Sequence, residues 1–278
     1  MEYLCNIRWA KMKKCPYCQS EKISIHEEKG RRSRLQCSAC QTSFSPTVNT
    51  IMHGTHIPLY KWFLAISLLS EAKKSISSRQ LGRHLDLPVK TSYSLSQRIR
   101  KALLGTKSPI LQGIVELDET YIGGKPRYHN AGAKRGRGTK KTMVVGAMER
   151  GGNVIAKMQT RYRGKDARNF VIENVDLEKS KIYTDEYSIY NRMGTLAPHE
   201  SVNHGNKQYV KAGNIHTNTI EGYWALVKRA WYGQHHHYSK KYTPLYIAEA
   251  AFKYNNRKVT SDEMFPKIMK QITSCTLS

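Results

Sequence analysis

Acids are scarce in this chain. It carries 21 Asp+Glu against 46 Lys+Arg, a formal charge of +25 with a pI near 9.8. An excess of one sign destabilises a compact fold by self-repulsion, so a polyanionic partner is the natural explanation. Long apolar runs are missing as well: nowhere do about 18 apolar residues follow one another, which excludes a membrane-spanning helix. No signal peptide precedes the first charged residues. The basic residues are spread along the whole chain rather than gathered on one amphipathic helix, which favours nucleic acid over a membrane surface. Internal repeats are absent. The length, 278 residues, suits one catalytic-sized core with one or two small modules.

Six cysteines occur, and four of them form two C-x-x-C pairs, Cys15/Cys18 and Cys37/Cys40. Without a secretion signal a disulfide framework is not expected, and the chain reads as cytoplasmic. Two thiolate knuckles at this spacing suit tetrahedral Zn²⁺, and four Cys ligands would close its coordination shell, making the ion structural. A module this small cannot bury enough apolar surface to fold alone, so the metal must supply its stability. Cys5 and Cys275 have no assigned role.

Residues 58 to about 104 read as helices. After a first helix, SSRQLGRHLDLPVKTSYSLSQRIRKALL gives a short helix, a turn at Leu87-Pro88 and a second helix. Leu81 and Leu85 line one face of the short helix. The layout fits a helix-turn-helix, with Lys90, Thr91 and Tyr93 where base edges are usually met and Arg98 further along. A plain helical hairpin gives the same pattern.

From about 110 the character turns to strands. GIVELDETYIGG carries Asp118 near its end, and residues 125–141, with seven Lys/Arg and no acid, read as a basic loop that includes Lys134, Arg135 and Arg137. TMVVGAMER and NVIAKMQT read as two strands joined by a hairpin, KDARNFVIENVD as a helix, and KIYTDEY as a strand ending at Asp185. SVNH suits one more strand, and TPLYIAEAAFKYNNRK a last helix with Leu245, Ala248 and Phe252 on one face. HTNTIEGYWALVKRAW, residues 216–231, is an amphipathic helix whose stripe is Ile220, Trp224, Val227 and Trp231. Glu221 and Lys228 stand two turns apart on a neighbouring face.

This succession suits an α/β fold with a mixed sheet, whose ligands bind beyond strand ends. Asp118 and Asp185 would meet if their strands are neighbours, with Glu221 leaning over the same spot. Three converging carboxylates repel unless cations fill the gap, and such hard oxygen ligands suit two Mg²⁺ or Mn²⁺ ions. Glu116 and Glu119 flank Asp118 and Glu186 follows Asp185, so strand register decides which acid faces the site.

The runs VELDETYIGGK, TDEYSIYNRM and HTNTIEGYWALVKRAWYG, followed by FKYNNRK, resemble the bacterial insertion-sequence transposases of the zinc-ribbon DDE group, the ISXO-like family. The resemblance extends over nearly the whole chain, most weakly at residues 1–12 and 259–278. It implies a zinc ribbon over 1–50, a helix-turn-helix region over 51–107, an RNase H-like catalytic domain over 108–258 and a C-terminal tail over 259–278. It also implies an acidic triad of Asp118, Asp185 and Glu221, with 35 residues between the last two. Lys228, with Arg229 beside it, falls where such enzymes carry a basic residue that touches DNA. Relatives are described with asparagine as the third residue, and Asn218 lies one turn before Glu221, so Asn218 is a second candidate ligand or a DNA contact. His204, His216 and residues 235–237 are candidates for phosphate or leaving-group contacts.

The activity implied is DNA transposition. Terminal inverted repeats would be bound, their 3′ ends cut, and those ends joined to target DNA, with at least a dimer on the DNA and no small-molecule substrate. No Ser or Tyr nucleophile constellation competes with metal-assisted transfer. Two other readings remain: a structure-specific nuclease that cuts without joining, and a DNA-binding regulator whose α/β domain has no catalytic role.

Overall fold

The computed structural model describes residues 2–9, 12–26, 34–124, 141–202 and 214–274. Residues 134, 135, 137, 204 and 275 lie outside the described residues. The chain forms two units, one of residues 1–72, 78–106 and 259–278, the other of 73–77 and 107–258.

The first unit opens on a helix, α1 (Glu2–Arg8), and a small antiparallel sheet of β1 (Ile23–His26), β2 (Arg34–Cys37) and β3 (Ser43–Phe44), in that order. Its buried core amounts to Cys5, Cys15, Leu35, Cys37 and Phe44. A core this small needs a cross-link, which the cysteines can provide. Helices α2 (Leu59–Glu71), α3 (Ser78–Leu85) and α4 (Val89–Leu104) follow. Leu81 and Leu85 are buried, as their spacing predicts. Gly82 lies where α3 meets α4: a Cβ there would stand 2.8 Å from the Leu87 carbonyl oxygen and 3.0 Å from Ser92 Oγ. The pair closes because this position has no side chain.

The segment expected as a tail is largely helix, α8 (Ser261–Ser274). Met264, Ile268, Met269 and Ile272 recur at helical spacing and are buried. Phe265 completes an aromatic cluster with Tyr3 and Phe63, each ring centroid 6.1 Å from its own. Gln271 donates to the Ala102 carbonyl at the end of α4. The weak resemblance at this end of the chain hid an ordinary amphipathic helix.

The second unit is built on β4 (Leu111–Ile122), β5 (Thr142–Glu149), β6 (Val154–Gln159), β7 (Val175–Thr184) and β8 (His199–Ser201). The sheet order is β6-β5-β4-β7-β8. β4, β5 and β6 are antiparallel to one another, while β7 runs parallel to β4 and β8 parallel to β7. With strands numbered along the chain that is 3-2-1-4-5, the RNase H-like arrangement, and the mixed α/β reading holds. One face carries α5 (Gly164–Asn174), whose Ala167, Phe170 and Val171 pack with Val115, Leu117, Val145 and Ile182. The other carries α6 (Asn218–Ala230) and α7 (Thr243–Asn255), where Ile220, Tyr223, Trp224 and Val227 meet Ile122, Val144 and Met148. Both faces of β5 are therefore covered, which explains its nearly continuous apolar sequence.

Two helix details differ from expectation. The helix sought over 216–231 starts at Asn218 and passes into a π turn at Trp231–His235. On α7 the buried residues are Thr243, Tyr246, Ile247, Glu249 and Phe252, so Phe252 faces inward as expected while Leu245 and Ala248 stand at the edge of that stripe. Thr243 starts the helix one turn ahead of Tyr246-Ile247, and that phase governs which residues meet α6.

Candidate active site

β4 alternates its acids between two faces. Glu116 and Asp118 face α6; Glu119 faces the other side, where its carboxylate accepts from Tyr190 Oη at 3.0 Å. Glu116 pairs with Tyr183 across the parallel ladder. Continuing that register by two residues sets Asp118 level with Asp185, just beyond the last residue of β7. The Asp185 carboxylate accepts from the Tyr187 amide at 3.0 Å.

Asp118 is partly exposed, yet its carboxyl is held well above the usual carboxylate range. Burial is the largest cause, and the charges of Glu119, Asp185 and Glu221 add to it. The three acids singled out in the sequence thus share one electrostatic neighbourhood. Glu221 and Asn218 are both exposed on the first turns of α6, and Glu221 Oε1 lies 3.4 Å from the Thr217 hydroxyl that donates to it.

What seats α6 is Glu116, which sequence reasoning passed over as a neighbour of Asp118. Its side chain is 0% exposed. One carboxylate oxygen accepts from the Ile220 amide at 2.9 Å, the other from Thr219 Oγ1 at 2.8 Å. A carboxylate from the sheet therefore caps the helix, satisfying an N–H that has no partner within the helix and complementing the positive end of its dipole. Arg150 balances the charge. Its Nε meets Glu116 Oε1 at 2.9 Å, and its other nitrogens reach the Asn214 and His216 carbonyls at 2.9 and 3.0 Å. The His216 Nδ1 lies 3.2 Å from Arg150 and accepts from the Asn218 amide at 3.3 Å, which places His216 inside this network. The signal available in the sequence was a second acid two residues before Asp118, on the same face of the strand.

Gly146 is the cross-strand partner of Asp118. A Cβ at Gly146 would lie 2.7 Å from the Trp224 ring and 3.2 Å from Ile220 Cδ1. The close seat of α6 above Asp118 depends on that missing side chain. Gly146→Ala should cost about 1–3 kcal/mol of stability. It should also lower catalytic turnover, because the helix carrying Glu221 must lift; thermal melting beside a turnover assay checks both.

Lys228 is exposed towards the end of α6 and makes no ion pair among the described residues; Arg229 is exposed and donates to the Ala225 carbonyl. On α4, Lys90 and Tyr93 are exposed and Thr91 half-buried. Arg98 is occupied within its own unit, donating to the His53 carbonyl at 2.8 Å with its guanidinium 5.6 Å from the Trp62 ring. His235 packs on Tyr246 with ring centroids 4.6 Å apart, while His236 and His237 are exposed.

In the first unit the Sγ atoms of Cys15, Cys18, Cys37 and Cys40 all lie within 4.8 Å of one another. Cys15 to Cys40 is 3.7 Å and Cys18 to Cys37 is 3.6 Å. A tetrahedron with metal–sulfur bonds of about 2.3 Å has edges of about 3.8 Å, so the four thiols fit such an ion. Hydrogen bonds from Thr42 lower the Cys40 thiol to about 6, favouring the ligating thiolate.

The ISXO2-like transposase domain model matches residues 110–255, and the transposase zinc-ribbon domain model matches residues 1–43. The chain belongs to the ISXO2-like transposases. This transposase is also 30% identical, over 250 residues, to an uncharacterised protein of the transposable element ISH50 from Halobacterium salinarum. That match covers 85% of this chain and 83% of the relative. Among solved structures, it is similar to the Mos1 strand transfer complex (15% identity, 80% and 77% of the two chains, TM-score 0.31). It is likewise similar to the Mos1 paired-end complex with Mg (15% identity, 80% and 78%, TM-score 0.31). The strand order carries the fold assignment. The ISXO2-like transposase is an insertion-sequence enzyme of the DDE type that acts on DNA. None of its described helices is long and apolar enough to cross a membrane.

Proposed function

We propose that this transposase binds the terminal inverted repeats of its element, cuts a phosphodiester at each 3′ end and joins that end to target DNA. The observation that carries the reading is the pairing of Asp118 with the level of Asp185, under the first turns of α6 where Glu221 stands. Burial first, and then the charges of Glu119, Asp185 and Glu221, raise the Asp118 carboxyl, as expected of a donor set made for hard divalent cations. Asp118, Asp185 and Glu221 would hold two Mg²⁺ or Mn²⁺ ions. When bound, these activate a water or a 3′-hydroxyl and stabilise the leaving oxygen of an in-line transfer. Glu221 is preferred over Asn218 as third ligand because it adds charge to the set. Lys228 would meet a DNA phosphate near the reacting strand, and Lys90, Thr91 and Tyr93 would read the repeat. Two ends must be brought together, so the working form is at least a dimer on DNA. The enzyme acts in the cytoplasm, on nucleoid DNA.

The four-cysteine cluster takes Zn²⁺ in this reading. Stripping the protein with a strong chelator should expose four further thiols to a thiol reagent. It should also unfold the ribbon while the five-stranded sheet keeps its own melting transition.

The decisive assay uses labelled duplexes from the DNA flanking the gene, with Mg²⁺ or Mn²⁺. Wild type should yield joined products that vanish in Asp118→Asn, Asp185→Asn and Glu221→Gln and persist in Asn218→Ala. Cutting without joining would make the protein a nuclease, and salt-sensitive binding without cutting a regulator.

A further inference from the structure

A cavity of about 490 Å³ opens beside β7 on the side of the sheet that carries α5, lined by Tyr162, Arg163, Arg168, Tyr187, Asn191 and Arg192 among others. Its lining includes three arginines and no acid. Among the described residues no ion pair engages the guanidinium of Arg163, Arg168 or Arg192. The nearby Asp166 carboxylate is already used, accepting from the Arg163 amide at 2.8 Å at the start of α5. Three planar donors without an acidic partner among the described residues, on one concave surface, suit phosphate oxygens.

Its place in the chain says whose phosphates. Tyr187, in the cavity wall, is the residue whose amide holds the Asp185 carboxylate. The short 3₁₀ turn Ser188–Tyr190 continues that wall, and Tyr190 reaches back to Glu119 on β4, next to Asp118. These two contacts join the cavity wall to Asp185 and to the neighbour of Asp118. Tyr187 is half-buried in the same wall, its ring centroid 6.1 Å from that of Tyr190. Resting on the transposase reading above, we infer that the Arg163–Arg168–Arg192 cavity grips backbone phosphates of the DNA strand that runs through the catalytic site.

The test compares two losses of equal charge. One variant is Arg163→Gln/Arg192→Gln. The other is Lys157→Gln/Lys179→Gln, whose exposed lysines sit beside Glu173 and Asp176, away from the cavity. Binding of a fluorescent duplex to the full-length protein is followed as salt is raised, in Ca²⁺ so that nothing is cut. Each phosphate contact contributes about 0.9 to the slope of log affinity against log salt, so the cavity variant should lose close to two units and bind about tenfold more weakly. The lysine variant should keep the wild-type slope. Adding Arg163→Lys/Arg192→Lys, which retains charge, should recover most of the slope. An unchanged slope in the cavity variant overturns the inference, as does an equal loss in the lysine variant, which would report net charge alone. Because the readout is binding, a protein that binds DNA but never cuts it would sink the transposase mechanism without touching this result.

Discussion

Asp118→Asn should melt above the wild-type protein when divalent metal is absent, and its turnover should fall about a thousandfold. The folded protein holds the Asp118 proton more tightly than the unfolded chain does, because burial and three neighbouring acids oppose its charge. A carboxyl raised in this way lends stability that is complete below its unfolded value of about 3.9 and lost as pH rises through the folded value. At neutral pH the wild-type site is therefore under electrostatic strain, which the amide relieves. Below about pH 4 both proteins carry a neutral group there and the difference should close. Divalent cation reverses the order. At a hundred times its dissociation constant, Mg²⁺ should stabilise wild type by about 2.7 kcal/mol and the variant much less. Loss of one ligand from a two-metal centre removes several kcal/mol of transition-state stabilisation, about a thousandfold in turnover. Melting curves at pH 4 and pH 7.5, with and without Mg²⁺, decide the matter. Identical metal-free melting at neutral pH would mean that the carboxylates do not share a site.

Much of this was legible in the residues because each clue was local. The stripe of Ile220, Trp224 and Val227 announces the helix that packs on the sheet, and the two C-x-x-C pairs announce the knuckles. The position of Asp185 just past a strand end required only the count of strands between turn signals, whereas Asp118 lies inside β4, four residues before Ile122. What stayed hidden depends on pairing between segments far apart in sequence. That Asp118 and Asp185 share a level follows from the parallel β4–β7 ladder, which no local pattern encodes. The role of Gly146 follows from Trp224, 78 positions later, and appears only once α6 is laid on β5. Helix α8 escaped because its partners, Tyr3, Phe63 and Ala102, belong to the other end of the chain. Arg98, chosen for its charge and its place on a helix, turned out to be tied to His53 and Trp62.

The second large effect concerns Glu116, whose chemistry resembles that of a catalytic acid while its surroundings are those of a structural one. Arg150→Met should cost about 3–5 kcal/mol, because it leaves the Glu116 charge buried without its counter-ion. Glu116→Gln should cost less, about 1–3 kcal/mol: the amide can still accept from the Ile220 N–H, but Arg150 loses its anion. The double variant should be more stable than the sum of the two losses predicts, since neither charge is then stranded; a positive coupling of 0.5–3 kcal/mol is the usual range for residues in one network. Turnover separates this role from simple folding. In protein shown to be folded, Glu116→Gln should lower kcat, because the N-terminus of α6 and with it Glu221 lose their anchor, while KM for DNA changes little. Raising Mg²⁺ should recover part of the rate, as expected when a ligand is displaced rather than deleted. Asp118→Asn should show no such recovery at any Mg²⁺ concentration. If Glu116→Gln behaves like Asp118→Asn in that titration, Glu116 is itself a ligand and the assignment of acids on β4 must be redrawn. If it leaves kcat untouched, the seat of α6 is held by the apolar stripe alone, and the buried ion pair serves only the packing of the β5–β6 hairpin against residues 214–216.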